Sequence, residues 1–212
     1  MTCDVIGTGS SGNAVILDKH ILIDCGVPFK QLQAFSKDLR LVLLTHKHGD
    51  HFHEATIPRL VETRPTLRFA MCDWMVPLAV SVIPPSNIDI MHSDKAYRYS
   101  GFSVSPFDLV HDVPNCGWRI HFQGPAYKVL YATDTGTLDG VSAINYDYYL
   151  VEANHDEAEL ESRAQEKLSR GEFSYESRAA LNHLSKQKVD AWLLKNAWNS
   201  SRVVYLHQHK EP

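Results

Sequence analysis

The sequence predicts a mixed α/β fold in which two β-sheets pack together, with helices on the outside. Short apolar runs typical of strands alternate with amphipathic segments typical of helices, and meanders of adjacent strands occur in both halves. No repeat, low-complexity tract or linker interrupts the 212 residues. A chain of this length is sufficient for one hydrophobic core, so we expect residues 1–212 to form a single domain.

The first half of the chain opens with a predicted β-meander over residues 3–7, 14–17 and 21–24. The glycine-rich segment 7–13 lacks the lysine of a Walker A motif, so a tight hairpin connection is favoured over a phosphate loop. The remaining elements predicted here are a helix over 27–38, a buried strand over 41–44, a helix over 54–63 with Pro58 in its first turn, a strand over 67–71, a helix over 73–82 and a strand over 88–90.

The second half predicts another sheet, because apolar and polar residues alternate in most of the segment from Tyr97 to Leu150. Charged helices are predicted over residues 156–168 and 175–189. Apolar runs at 191–194 and 203–206 close the chain.

The composition is that of an ordinary globular protein, with 44% hydrophobic and 22% charged residues. No apolar run approaches the roughly 20 residues of a membrane span, and the N-terminus lacks the pattern of a signal peptide. The cysteines form no C-x-x-C pair and are interpreted as reduced thiols. We therefore expect a cytoplasmic protein with no membrane partner; the sequence leaves its oligomeric state open.

Charge is unevenly distributed along a chain whose net charge is −4. From Arg163 to Lys210 there are nine Lys/Arg residues and four Asp/Glu, whereas Met1 to Ser162 has twelve and twenty. This basic C-terminal quarter predicts a face that meets a polyanion. A solvated helix face with no partner is the alternative.

The segment 45–53, Thr-His-Lys-His-Gly-Asp-His-Phe-His, carries the chemistry on which the functional prediction depends. It follows a predicted buried strand and contains an H-x-H-x-D-H cluster of His46, His48, Asp50 and His51. Imidazole nitrogen and carboxylate oxygen suit zinc and similar divalent metals. Four ligands exceed the number that one catalytic ion with an open position needs, so two ions sharing the cluster are predicted. A polar surface turn is the alternative.

Other strand ends carry matching side chains. His111, Asp134 and His207 each follow an apolar run, although each alone would be interpreted as a loop histidine or a turn residue. His209 lies two residues beyond His207 and is a rival ligand. Asp24 ends the third predicted strand, where it either orients a ligand histidine or forms a turn.

The order of these motifs resembles that of the metallo-β-lactamase superfamily: H-x-H-x-D-H, a lone His, Asp before Thr-Gly, and a His after the last strand. The segments 9–13, 22–26, 152–156 and 183–185 are similar to the small YycJ-like (WalJ) branch, found in bacteria and their phages. The resemblance spans nearly the whole chain. It implies a four-layer αββα sandwich with the site at one edge of the two sheets.

The resemblance also implies a ligand set for two divalent metal ions, zinc or alternatively manganese. One zinc ion would be bound by His46, His48 and His111. The other would be bound by Asp50, His51 and His207, with Asp134 bridging the two. The predicted catalytic residues are Asp50, Asp134 and His183. His183 is expected to point at a substrate phosphate, and a histidine that packs or caps a helix is the alternative.

The implied activity is hydrolysis by a hydroxide that the two ions hold between them. Together with the basic C-terminal quarter, this favours a phosphodiesterase or nuclease with DNA as its partner. The alternatives are a hydrolase of a small ester, thioester or lactone, and a metal-binding protein without catalysis, which the complete ligand set disfavours.

The sequence departs from the YycJ-like pattern in two motifs. Asn182 stands where the branch usually has Gly before the histidine of its His-Leu-Ser motif. His207-Gln208-His209 replaces the closing motif, which is often His-Leu-Ser. No large insertion follows Asp134, which weakens the expectation of ribonuclease processing.

Overall fold

A computed structural model describes residues 1–172 and 180–208. The chain divides into two compact units, residues 1–97 and 98–212. The first unit contains a six-stranded sheet whose strands follow one another in chain order. They are β1 (Cys3–Gly7), β2 (Ala14–Leu17), β3 (Ile21–Ile23), β4 (Leu41–Leu43), β5 (Arg68–Cys72) and β6 (Ile88–Met91). The α-helices of this unit are α1 (Phe29–Leu32), α2 (Ile57–Thr63) and α3 (Val76–Ala79).

Strand direction changes within this first sheet. Strands β1, β2 and β3 form the predicted antiparallel meander, with a hairpin connection between β1 and β2. From β3 to β6 each neighbouring pair is parallel, and Ile23 lies opposite Leu43. Neighbouring parallel strands end at the same edge of a sheet. The segments that follow β3 and β4 are therefore brought together.

The helices of the first unit cover one face of its sheet. Leu32 of α1 and Ile57 and Leu60 of α2 are fully buried in a cluster with Val42 and Phe69 of the sheet. Burying one such side chain contributes about 1.5–3 kcal/mol. This cluster fixes the helices to the strands from which the loops of the site begin.

Two predicted helices of this unit are shorter than expected. The helix predicted over 27–38 is limited to α1, and the segment after it forms turns in which Ser36 Oγ donates to the carbonyl of Gln33 at 2.8 Å. Such side-chain bonds compete with the helical backbone. The helix predicted over 73–82 is a 3₁₀ turn, Asp73–Met75, followed by α3. The position of Pro58 in the first turn of α2 is confirmed.

The second unit contains a second six-stranded sheet, which begins at the boundary between the units. Its strands are β7 (Tyr97–Tyr99), β8 (Phe102–Leu109), β9 (Asn115–Gln123), β10 (Ala126–Ala132), β11 (Tyr148–Glu152) and β12 (Arg202–Leu206). Strands β8, β9 and β10 are antiparallel, whereas β10 pairs in parallel with β11 and β11 with β12. The helices α4 (Glu157–Ser169) and α5 (Lys186–Asn196) belong to this unit.

The helix predicted over 175–189 is interrupted at residues 183–185 and is helical again over 186–189, while residues 175–179 lie outside the described residues. Helical conformation is present at 180–182, stops at 183–185 and resumes in α5, which includes the apolar run 191–194. The side chain of Ser185 accepts a hydrogen bond from Lys188 N at 3.1 Å. It therefore caps the start of a new helix, and the break leaves His183 in a short connection.

Both units combine strands and helices, which confirms the mixed α/β fold. The prediction that residues 1–212 form one domain stays a prediction. None of the helices in the described ranges is both long and apolar enough to cross a membrane. All four cysteines are free thiols.

Three loops of the first unit are joined by backbone hydrogen bonds around Gly26. Its N–H donates to Asn13 O at 2.9 Å, and Asn13 N donates to Asp50 O at 2.7 Å. A Cβ placed on Gly26 would lie 1.7 Å from the carbonyl oxygen of Asp50. Only a residue without a side chain permits this close approach, so Gly26 sets the position of the loop that carries the histidines.

We expect Gly26→Ala to lower the free energy of unfolding by about 1–3 kcal/mol or more, because the added methyl group must displace the backbone at Asp50. Urea unfolding followed by circular dichroism measures the change. Gly49→Ala is the matched control, since no atom lies within 4 Å of its Cβ position. Equal stability of the two variants would contradict this account of the loop.

Candidate metal centre

The first cluster of candidate ligands lies beyond the parallel strands β3 and β4. Asp24 follows β3 and donates its backbone N–H to Leu43 O at 2.9 Å, which places it beside the start of the histidine segment. Its φ of 58° turns the chain out of the strand, and its side chain is fully buried. Aspartate is one of the few non-glycine residues that adopts this conformation readily.

The Asp24 carboxylate organises two of the histidines. His51 Nδ1 donates to Asp24 Oδ2 at 2.7 Å, and Thr45 Oγ1 lies 2.9 Å from Asp24 Oδ1. The single hydroxyl hydrogen of Thr45 is donated to the carboxylate, so the contact of 3.0 Å to His46 Nδ1 requires that His46 donate. In the neutral form of each ring, Nε2 is then the unprotonated nitrogen. This arrangement favours the orienting interpretation of Asp24 over that of a turn residue.

The other members of the H-x-H-x-D-H motif lie at the same place. His46 Nε2 is 3.1 Å from His48 Nδ1, and Asp50 Oδ2 is 3.8 Å from His51 Nε2. Asn13 Nδ2 also lies 2.8 Å from His51 Nε2. Three imidazoles and a carboxylate gathered at one place are a donor set that fits a divalent metal ion.

The second cluster lies at the corresponding edge of the second sheet, where three strands end. Asp134 follows β10, Glu152 ends β11 and His207 follows β12. The parallel register pairs Ala132 with Val151 and Glu152 with Leu206, so these three ends lie side by side. Asp134 and His207 adopt positive φ angles of 58° and 51°. The topology of the sheet therefore gathers residues that are far apart in the sequence.

Four side chains of this second cluster are close enough to share one ion. One ligand atom each from Asp134, Glu152, His183 and His207 lies within 4.8 Å of the others. His207 Nδ1 is 3.1 Å from Asp134 Oδ1, and His183 Nδ1 is 3.0 Å from Glu152 Oε2. Two carboxylates and two imidazoles in a buried setting again fit a divalent metal ion.

Opposing effects determine the protonation of this cluster. Burial disfavours the charged form of His207, but hydrogen bonds and charge from Asp134 and Glu152 outweigh it and raise the pKa of His207 to about 10. Burial also disfavours the ionised form of Glu152, whereas hydrogen bonds from His183 and His207 lower the pKa of Glu152. The two carboxylates thus attract positive charge to this position, whether it is a proton or a metal ion.

Glu152 is the residue of this cluster to which the sequence analysis gives no role. Its Oε1 accepts the backbone N–H groups of Thr135 at 2.7 Å and Leu184 at 3.0 Å, and its Oε2 accepts from His183. It is fully buried. The sequence does contain a signal for Glu152, because it is a carboxylate directly after the apolar run 148–151; the same kind of signal identified Asp134.

The predicted site residues fall into these two groups. His46, His48, Asp50 and His51 are together in the first unit. In the second unit the His111 ring lies 5.6 Å from that of His183, and its loop is held by a hydrogen bond from Gly136 N to Val110 O at 2.9 Å. The rival ligand His209 lies outside the described residues.

The sequence and the fold both have relatives among known proteins. The family described as the beta-lactamase superfamily domain matches residues 19–177. The chain is also 26% identical to the exodeoxyribonuclease WalJ of Streptococcus pneumoniae. That alignment of 232 residues covers 98% of this chain and 81% of WalJ.

Two solved structures resemble the fold at low sequence identity. The metallo-beta-lactamase fold protein YhfI from Bacillus subtilis has a TM-score of 0.73 at 18% identity, covering 99% of this chain and 87% of YhfI. The short form of human tRNase Z has a TM-score of 0.70 at 18% identity, covering 99% of this chain and 93% of that protein. These likenesses confirm the predicted fold class.

We expect Asp24→Asn to weaken zinc binding by the folded protein about 10- to 100-fold, because an amide no longer provides the anionic acceptor for His51 Nδ1. Competition with a chromogenic chelator measures the affinity, and circular dichroism verifies the fold. Asp38→Asn, an exposed aspartate of the same unit, is the control. An affinity equal to that of the wild type would return Asp24 to the role of a turn residue.

Proposed function

Because the chain belongs to the beta-lactamase superfamily, we propose that it is a metal-dependent phosphodiesterase that acts as a nuclease on DNA. The observation that carries the proposal is the set of buried imidazoles and carboxylates at the strand ends of each unit, in the order that the family uses. The similarity to WalJ, which is named an exodeoxyribonuclease, supports DNA as the substrate.

The proposal assigns two divalent ions to one centre, with zinc or manganese as the occupants. His46, His48 and His111 would hold one ion, and Asp50, His51 and His207 the other. Asp134 would bridge them. The unprotonated Nε2 atoms of His46 and His51 support their assignment as ligands. Ions bound there would polarise the phosphoryl group and lower the pKa of water at the site.

We assign Glu152 the role of an anchor instead of a metal ligand. Its two oxygens already accept two backbone N–H groups and the ring of His183. Those bonds join the Asp134 loop, through Thr135, to the His183 connection, through Leu184. Glu152 therefore holds the two segments in register.

His183 is the member of the second cluster that is best placed to meet a substrate. Its side chain is 19% exposed, compared with 4% for Asp134 and 0% for Glu152. Since its Nδ1 donates to Glu152, the atom left for other contacts is Nε2. When the ring is protonated on both nitrogens, Nε2 can donate to a phosphate oxygen or to the leaving oxygen, which typically accelerates such reactions about 10²-fold or more.

The substrate proposal is tested with labelled single- and double-stranded DNA, RNA, a chromogenic phosphodiester, a thioester and a β-lactam. We expect metal-dependent cleavage of DNA that weakens steeply with salt, because a polyanion releases counterions on binding. Turnover of the thioester and the β-lactam should be absent. Asp134→Ala should abolish most cleavage while the fold is kept. Robust thioester hydrolysis with inert nucleic acids would replace the nuclease with a small-ester hydrolase.

The role of His183 is tested by His183→Ala, with metal content and turnover measured on the same preparation. We expect two ions per chain to be retained and turnover to fall about 10²-fold or more, because the side chain acts on the substrate. His121→Ala, in a strand of the same unit, is the control. Loss of an ion would make His183 a ligand, and unchanged turnover would make it a packing residue.

A further inference from the structure

A groove of about 330 Å³ lies in the first unit, between the segment that contains α1 and the segment that leads into α2. Phe29, Lys30 and Gln33 line one wall, and His53 and Arg59 line the other. The groove is separate from the two clusters described above, and none of their residues lines it.

The ionisable side chains of this groove are all of the basic type. Lys30, His53 and Arg59 contribute to its lining, and no carboxylate does. Within the described ranges Lys30 has no ion pair. Arg59 Nε lies 3.9 Å from Glu62 Oε2, but these side chains are 61% and 80% exposed. An ion pair this exposed is weak, so both cations remain available to an anion.

The cationic groups are positioned by their own elements. Arg59 Cζ lies 4.7 Å from the centroid of the Phe29 ring, a cation–π contact that limits the motion of the guanidinium group. Lys30 and Gln33 are three residues apart in and just after α1, so they project on the same side of it. A guanidinium, an ammonium and an amide directed at one space are donors suited to a phosphate group.

The groove begins where the histidine segment ends. His53 lines it and lies two residues after His51, and His53 N donates to Cys25 O at 2.8 Å. Thr56 lines the groove as well and donates its hydroxyl to Val27 O at 2.8 Å. These bonds fix the groove to the loops of the first cluster. A strand that runs from the cluster along this segment would therefore bring a neighbouring phosphate to Lys30 and Arg59.

We propose that this groove binds a backbone phosphate of the nucleic acid strand next to the scissile one. This inference rests on the proposed nuclease function. It places one polyanion contact in the first unit, whereas the sequence alone pointed only to the basic C-terminal quarter. A substrate without neighbouring phosphates gains nothing from the groove.

The test compares wild type with Lys30→Ala/Arg59→Ala on single-stranded DNA and on bis(p-nitrophenyl) phosphate. Lys37→Ala/Arg40→Ala removes the same charge from exposed positions outside the groove and is the matched control. We expect the groove variant to raise KM for DNA about tenfold with little change in kcat. The slope of log KM against log salt should fall by about 0.7, the value for one phosphate of a single strand. The loss of kcat/KM should be about tenfold larger on DNA than on the small diester.

Anisotropy of a fluorescent single-stranded oligonucleotide measures binding without turnover and separates the two proposals. If wild type cleaves no nucleic acid, the proposed function fails, while weaker oligonucleotide binding by the groove variant than by the control would still support the groove. If the groove variant binds the oligonucleotide as tightly as wild type and shows the same salt slope, the groove is not a phosphate site. The proposal would also be wrong if the control variant weakened binding as much as the groove variant, or if the groove variant lost the same factor in kcat/KM on DNA and on the small diester.

Discussion

Parallel pairing of neighbouring strands is the constraint on which both clusters depend. In the first sheet it places Asp24, after β3, beside the segment that follows β4. In the second it aligns the ends of β10, β11 and β12, which carry Asp134, Glu152 and His207. Antiparallel neighbours would send alternate strand ends to opposite edges. The polar groups can therefore be far apart in sequence and still be held by rigid strands.

Features formed by residues close together in the chain could be predicted from the sequence, whereas roles that depend on contacts between distant segments could not. The H-x-H-x-D-H motif lies within six residues, so its members could be recognised together. The role of Glu152 depends on contacts with Thr135 and Leu184, which are 17 and 32 residues away. The break before α5 escaped prediction because the cap formed by Ser185 interrupts a pattern that remains helical on both sides.

A buried carboxylate serves histidines in the same way in both units. Asp24 accepts from Nδ1 of His51, and Glu152 accepts from Nδ1 of His183. Each carboxylate also accepts backbone N–H groups, from Thr45 in the first case and from Thr135 in the second. Such bonds compensate the cost of burying a charge, which is large without partners. In this metallo-β-lactamase-fold hydrolase, buried carboxylates therefore orient the histidines of both clusters.

The left-handed strand ends limit how this chain could change over many generations. Asp24, Asp134 and His207 have φ angles of 58°, 58° and 51°, a conformation that glycine adopts freely, that aspartate adopts readily and that costs most other L-residues about 1–2 kcal/mol. Most substitutions there would therefore lower stability through the backbone alone. Glycine at Asp24 would keep the turn but remove the buried acceptor of Thr45 and His51, so even the substitution that the backbone permits would damage the loop of histidines.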